Sequence, residues 1–134
     1  VLFMTQMRIA EAAQLLGVSD DTVRRAIDAG RLTSTKDRAG RLIVSGSDIA
    51  VMAQELAHPP SVGSVGTTSA RNQMRGIVTR VVSDTVMAQV DIQAGPFRLV
   101  SLLSREAVEE MGLEVGSVAV ASVKATHVTV GVPS

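Results

Sequence analysis

The sequence predicts an α+β protein of two small domains, the first helical and the second strand-rich. Apolar residues recur at helical spacing from Ile9 to Leu56 and change to a period of two after Met74. Between these patterns lies a Pro- and Gly-containing stretch that carries neither. At 134 residues the chain could be one domain by length, but this break argues for a domain over 1–57, a linker over 58–68 and a domain over 69–134. Domains of about 60 residues bury only ~60% of their unfolded surface, so each would gain from oligomerisation.

In the first domain, Ile9, Ala12, Ala13 and Leu16 fall at i, i+3, i+4 and i+7, one apolar stripe on a first helix. Gly17 ends it, because a left-handed C′ position favours glycine. Ser19 opens a second helix over Asp20–Ala29, with Asp20 and Asp21 in the turn where the helix dipole favours anions. Val23, Ala26 and Ile27 form its buried face, and Gly30 closes it. Ile49, Met52, Ala53 and Leu56 mark a third helix, with Ser47 as its expected N-cap. Two short helices joined by a tight Gly-containing turn describe a helix-turn-helix, and small Ala13 lets the two cross closely. Lys36-Asp37-Arg38-Ala39-Gly40-Arg41 then sits between Leu32-Thr33-Ser34 and Leu42-Ile43-Val44, as the charged tip of a hairpin would.

Charge singles out the same region. The whole chain has formal charge zero, yet residues 22–41 carry six cations against Asp28 and Asp37. A solvated Arg-rich surface is the plain explanation of such a run; joined to the helix-turn-helix spacing, it points to nucleic acid. The segment Thr22–Leu32 resembles the recognition helix and following turn of the mercury-regulator and phage-excisionase winged-helix families. That resemblance implies double-stranded DNA as partner, with Arg24 and Arg25 facing the major groove and Ser19 or Thr22 on phosphate. Lys36, Arg38 and Arg41 would meet backbone phosphates, which position a protein without reading sequence.

The linker from His58 to Thr68 reads as a tether whose eleven coil residues span roughly 18 Å root-mean-square. In the second domain Val86, Ala88, Val90 and Ile92 alternate with Met87, Gln89, Asp91 and Gln93, a strand with one wet face. Val78 and Val81 break the alternation of the preceding strand, which predicts a bulge. Gly95-Pro96 turns into a strand over Phe97–Leu103. Ser104 caps a short helix, Arg105–Met111, stopped by Gly112. Two more strands are expected, over Ser117–Lys124 and His127–Val132. Three strands, a short helix and two strands predict an OB-like Greek-key β-barrel. With Phe97 its only aromatic residue, this half lacks stacking platforms for nucleic acid.

Two segments of this half carry the chemistry. Ser69-Ala70-Arg71-Asn72-Gln73 offers a hydroxyl, a guanidinium, amides and backbone N–H groups; Val123-Lys124-Ala125-Thr126 adds an ammonium and another hydroxyl. All can donate hydrogen bonds and neither segment contains a carboxylate, which suits a fully deprotonated oxyanion. Pinning the ends of a barrel together is the structural alternative. In order and setting the segments resemble the molybdate-binding Mop (molbindin/TOBE) domain. The resemblance implies molybdate or tungstate as ligand, held by Ser69, Ala70 (through its N–H), Arg71, Asn72, Lys124, Ala125 and Thr126. It also implies Ser104, at the start of the short helix, contributed by a neighbouring subunit in a homo-oligomer, a dimer or a larger assembly such as a hexamer. Ala107 and Ala125 stand where many family members have hydroxyl residues, lowering the donor count.

Other classes fall away. Absence of Cys removes disulfides and thiolate sites, and lone His58 and His127 make no metal site. No base–nucleophile pair or phosphate loop is present, so an enzyme is not expected. No apolar run approaches ~20 residues, and Val1-Leu2-Phe3-Met4 is too short for a signal-peptide core, so the expected location is the cytoplasm. The combined expectation is a DNA-binding transcriptional regulator that senses molybdate or tungstate. The alternatives are an intracellular molybdate or tungstate binding or storage protein whose helical domain serves assembly, and an excisionase-like architectural DNA binder.

Overall fold

The structure, a computed structural model, describes residues 5–63 and 66–134. Residues 1–4, and Ser64 and Val65 of the expected tether, lie outside the described residues. The chain divides into two compact units, Val1–His58 and Pro59–Ser134, which are described separately.

The first unit runs β1 (Gln6–Arg8), α1 (Ile9–Leu16), α2 (Asp20–Asp28), β2 (Ser34–Lys36), β3 (Leu42–Ser45) and α3 (Gly46–Leu56). The caps follow local chemistry. Gly17 takes the left-handed conformation at φ 70° after α1, and the Ser19 hydroxyl accepts from Thr22 N–H at 3.1 Å to open α2. The expected hairpin forms between β2 and β3, and β1 adds to its other side, giving a small antiparallel sheet in the order β1-β3-β2. Ile9, Ala12 and Ala13 of α1, Val23 and Ala26 of α2, Val44 of β3 and Ile49 and Met52 of α3 form one core. Helix α3 begins two residues earlier than expected: Ser45, not Ser47, holds the N-cap position, and the two hydroxyls bond to each other at 2.8 Å. Asp48 instead accepts from Thr33 N–H at 2.7 Å, tying the helix to the chain that leads into the hairpin.

The second unit runs β4 (Asn72–Ser83), β5 (Met87–Ala94), β6 (Phe97–Ser104), α4 (Arg105–Met111) and β7 (Val118–Val123). The sheet order β6-β5-β4-β7 is a Greek key: three strands joined as hairpins, and a fourth that returns beside the first. Long β4 changes partner along its length, pairing with β7 over Asn72–Ile77 and with β5 over Ile77–Ser83. The register slips between Val78 and Arg80, the expected bulge, and the sheet curls there. Gly76 stands at this change of partner, so close to β5 that a Cβ would lie 2.6 Å from the Gln93 carbonyl oxygen. Val78, Ala88, Val90, Ile92 and Val108 make the core.

Two expectations are corrected. The fifth strand does not form: Ala125–His127 is one 3-10 turn, and residues 128–134 have no strand. The sheet therefore curls into a half-barrel with β6 and β7 as its edges, and closure into a full barrel is not seen. The reason is pairing. Val128, Thr129 and Val130 have β propensity, but a strand needs an edge to bond to, and this segment lies against none. Asp91, expected on the wet face of β5, is only 4% exposed. It is buried because it is fully paired: Arg98 donates to it through Nε at 3.0 Å and Nη2 at 2.8 Å, and Gln89 Nε2 donates at 2.9 Å.

Candidate oxyanion site and basic face

The β4–β7 ladder brings together the two donor segments, which lie fifty residues apart in sequence. Asn72 stands opposite Val123, Gln73 opposite Ser122, and Asn72 Nδ2 donates to the Val123 carbonyl at 3.1 Å. Asn72 thus pins the junction with one amide hydrogen and keeps the other. Ser69, Arg71, Lys124, Ala125 and Thr126 are exposed at the same end of the sheet, with Ala70 half-buried. The 3-10 turn places Lys124 at its N-cap; its internal bonds begin with His127 N–H, so the Ala125 and Thr126 N–H groups precede them. Among the described residues, neither Arg71 nor Lys124 is in an ion pair. No carboxylate occurs in residues 69–75 or 120–127. The result is a cationic, donor-rich end of a sheet.

Two details were not legible in the sequence. The Ala70 N–H is donated to Thr68 Oγ1 at 3.1 Å, so that backbone donor is engaged within the chain. Arg75, unnoticed in the sequence, stands in the same ladder opposite Val120, its Nη1 donating to Ser61 O at 3.2 Å. Ser104 lies elsewhere. Its register partner is Met87, beside the Ser83 end of β4, roughly 35 Å of strand contour from Asn72. There it caps α4, accepting from Ala107 N–H at 3.0 Å and keeping its own O–H to donate.

In the first unit, Arg24 and Arg25 are exposed on α2, and Lys36, Arg38 and Arg41 are exposed on the hairpin. Ser19 and Thr22 share a hydroxyl bond of 3.0 Å at the helix start. Asp37 organises the hairpin tip, its Oδ1 accepting from Ala39 and Arg41 N–H at 2.9 and 3.0 Å. Arg31, counted with the basic run, turns toward Glu55 of α3 at 3.4 Å.

Comparison with known proteins follows the same division. Residues 68–130 match the TOBE domain family, and residues 7–57 match a helix-turn-helix domain family. Over 65 residues the chain is 46% identical to a "Probable molybdenum-pterin-binding protein" of Haemophilus influenzae, covering 48% of this chain and 94% of that protein. The chain belongs to the TOBE-domain family. Molybdenum-pterin-binding protein 2 of Clostridium pasteurianum is 38% identical over 63 residues, 46% of this chain and 93% of that protein. Among solved structures, a molybdate-binding protein from Sporomusa ovata is 31% identical, covers 48% of this chain and 97% of its own, and superposes with a TM-score of 0.47. Residues 68–130, the TOBE match, contain both donor segments and Ser104. Among the described residues no helix is long and apolar enough to cross a membrane, and no three His, Cys, Asp or Glu side chains cluster as metal ligands.

Proposed function

We propose that the protein binds molybdate, or tungstate, at the junction of β4 and β7, and contacts duplex DNA through its helix-turn-helix domain. The observation that carries the oxyanion reading is the Asn72–Val123 pairing, which joins two donor segments free of carboxylates in a TOBE domain. Relatives named for molybdenum-pterin binding support the same ligand element. They are named for binding and not for catalysis, and the chain is read likewise as a binding protein and not an enzyme. Its proposed location is the cytoplasm.

The site is proposed to be shared between chains. Ser69, Arg71, Asn72, Lys124 and Thr126 would approach a dianion from one exposed end of the sheet only, and Ser104 stands too far along its own sheet to cover the open side. Ser104 of a neighbouring subunit would complete the coordination. Exposed Phe97, Val100 and Leu102 on edge strand β6, and Val130 and Val132 in the tail, support an assembly that buries them. Closure of the sheet into an OB-like barrel belongs to the same proposal, through pairing that one chain lacks.

Two physiological readings divide on the first domain. The relatives are named for binding, which supports a role in binding or storage, with the helical domain proposed to serve assembly. The helix-turn-helix match and the basic residues of α2 and the hairpin favour a regulator whose DNA binding responds to the anion. Calorimetric titration with sodium molybdate alone, no pterin present, tests the ligand. Absence of heat and of any thermal stabilisation would overturn it. Gel shifts on upstream DNA with and without molybdate separate the roles: DNA binding that changes with molybdate marks a regulator, and absence of DNA binding at low salt marks storage.

A further inference from the structure

Three elements of the first unit meet around an open cleft of about 460 Å³. Arg8 comes from the end of β1, Asp20 and Arg24 from the first turns of α2, and Lys36 and Arg41 from either side of the hairpin tip. Four cations thus converge with one carboxylate in a protein of zero formal charge. Converging like charges repel one another, and a bound anion relieves this.

The arrangement is held from outside the cleft. Arg8 occupies the N-cap position of α1 with its backbone extended (φ −76°, ψ 161°), and its side chain makes no capping bond. A guanidinium only donates, so it cannot cap the helix N–H groups and stays available to the cleft. Asp37 fixes the hairpin tip through two backbone N–H groups, so Lys36 and Arg41 are carried on a constrained turn. Its 3.4 Å contact with Arg41 Nε is a half-exposed pair that orients the guanidinium without cancelling it. Neighbours Arg24 and Arg25 diverge, as consecutive helical residues must, and only Arg24 lines the cleft.

We infer that this cleft is a clamp for the phosphodiester backbone of duplex DNA, with Arg8 as its third wall and Arg24 bound to phosphate instead of a base. The inference rests on the DNA-binding reading above. A phosphodiester has only acceptor oxygens and one negative charge, which fits a cation-rich, open cleft beside the helix of a helix-turn-helix. It divides the labour on α2: Arg24 positions the protein, and Arg25, outside the cleft, is left to meet base edges.

The test uses the full chain and a fluorescent random-sequence 25-base-pair duplex, with binding measured by anisotropy from 50 to 300 mM NaCl. Each phosphate contact contributes about 0.9 to the slope of log K against log salt. Arg8→Ala and Arg24→Ala should each lower the slope by that amount and weaken binding about eightfold at 0.1 M salt. The loss should be equal on random and on selected sequences. Arg8→Lys should restore the slope, and Asp20→Asn should tighten binding. Arg31→Ala, whose side chain turns to Glu55, should change nothing. Unchanged circular dichroism and melting of the variants exclude misfolding as the cause. If the wild type binds duplex but Arg8→Ala and Arg24→Ala keep its slope, the clamp is wrong and the DNA reading stands. If Arg24→Ala alone relaxes sequence preference, Arg24 reads bases and the assignment is overturned. If the wild type binds no duplex at 50 mM salt, the DNA reading fails and takes the clamp with it.

Discussion

Gly76→Ala is the sharpest test of the second unit, because the cost can be worked from distances. A Cβ at position 76 would lie 2.6 Å from the Gln93 carbonyl oxygen, 2.7 Å from Ile92 Cγ2 and 3.0 Å from the Gln93 carbonyl carbon. Non-bonded carbons rest at about 3.5–4.0 Å, so β4 and β5 would have to part by most of an ångström. Two of the three atoms are backbone of a paired strand, and Ile92 is in the core, so no flexible side-chain end can yield. Overpacking of this kind costs about 1–3 kcal/mol, and rigid neighbours place this case in the upper half. For a unit of this size each kcal/mol moves the melting point by about 4–8 °C, giving a fall of about 10–20 °C. Scanning calorimetry of the full chain should show only the transition of the second unit moving. Gly95→Ala is the comparison: at φ 60° with open space around it, its cost is left-handed backbone strain alone, about 1–2 kcal/mol. A Gly76→Ala protein that melts within about 3 °C of wild type, or above Gly95→Ala, would refute the close strand crossing.

Three further outcomes are expected. Asn72→Ala removes the donor to a half-buried carbonyl, so it should cost about 1–3 kcal/mol and also abolish stabilisation by molybdate, read together as melting points with and without the anion. Lys124→Ala, exposed and outside any ion pair among the described residues, should leave the melting point of the free protein within about 0.5 kcal/mol of wild type while removing the molybdate-induced rise. The amide of Gln89 and then the guanidinium of Arg98 hold the Asp91 carboxyl below its ordinary value of 3.8. A depressed folded value means that Asp91 contributes its full stability above that ordinary value and loses it as pH falls toward the folded one. Urea titrations should therefore show Asp91→Asn destabilised at pH 7, with the gap to wild type closing below about pH 4.

What the sequence could disclose was what depends on near neighbours. Ser19 and Ser104 cap their helices, and Gly17 and Gly112 end theirs in the left-handed region, because a cap is a contact between residues three to five apart. The bulge in β4 and the two donor segments were legible for a similar reason, as breaks or concentrations in a local pattern. Apart from the α3 cap, which lies at Ser45 and not Ser47, the misreadings involve distant partners. Asp91 looked wet until Arg98 on the next strand was seen to cover its charge, and the tail looked like a strand because propensity says nothing about a free edge. Arg8 escaped notice because it lies before the helix-turn-helix, and only the β1–β3 pairing carries it to the hairpin. Alternation of β1 against a basic hairpin would have been the signal, but three residues are too few for a period to show.

The pairing of Asn72 with Val123 also has a consequence for time. It closes a loop of 51 residues, an entropic cost of about 3.5 kcal/mol beyond the constant for any loop. The hairpins β4–β5 and β5–β6 can form from neighbouring residues, whereas the oxyanion junction waits for β7 to return across the whole unit. The expectation is that β7 docks after the rate-limiting step of folding, so that an anion bound across its contacts acts on escape from the native state. Molybdate should lengthen the unfolding half-life of the second unit by a factor of one plus the ratio of free anion concentration to Kd, and leave the refolding rate unchanged. The bound anion would then serve as a clasp on the last strand to dock, so that a loaded chain outlasts an empty one under a protease.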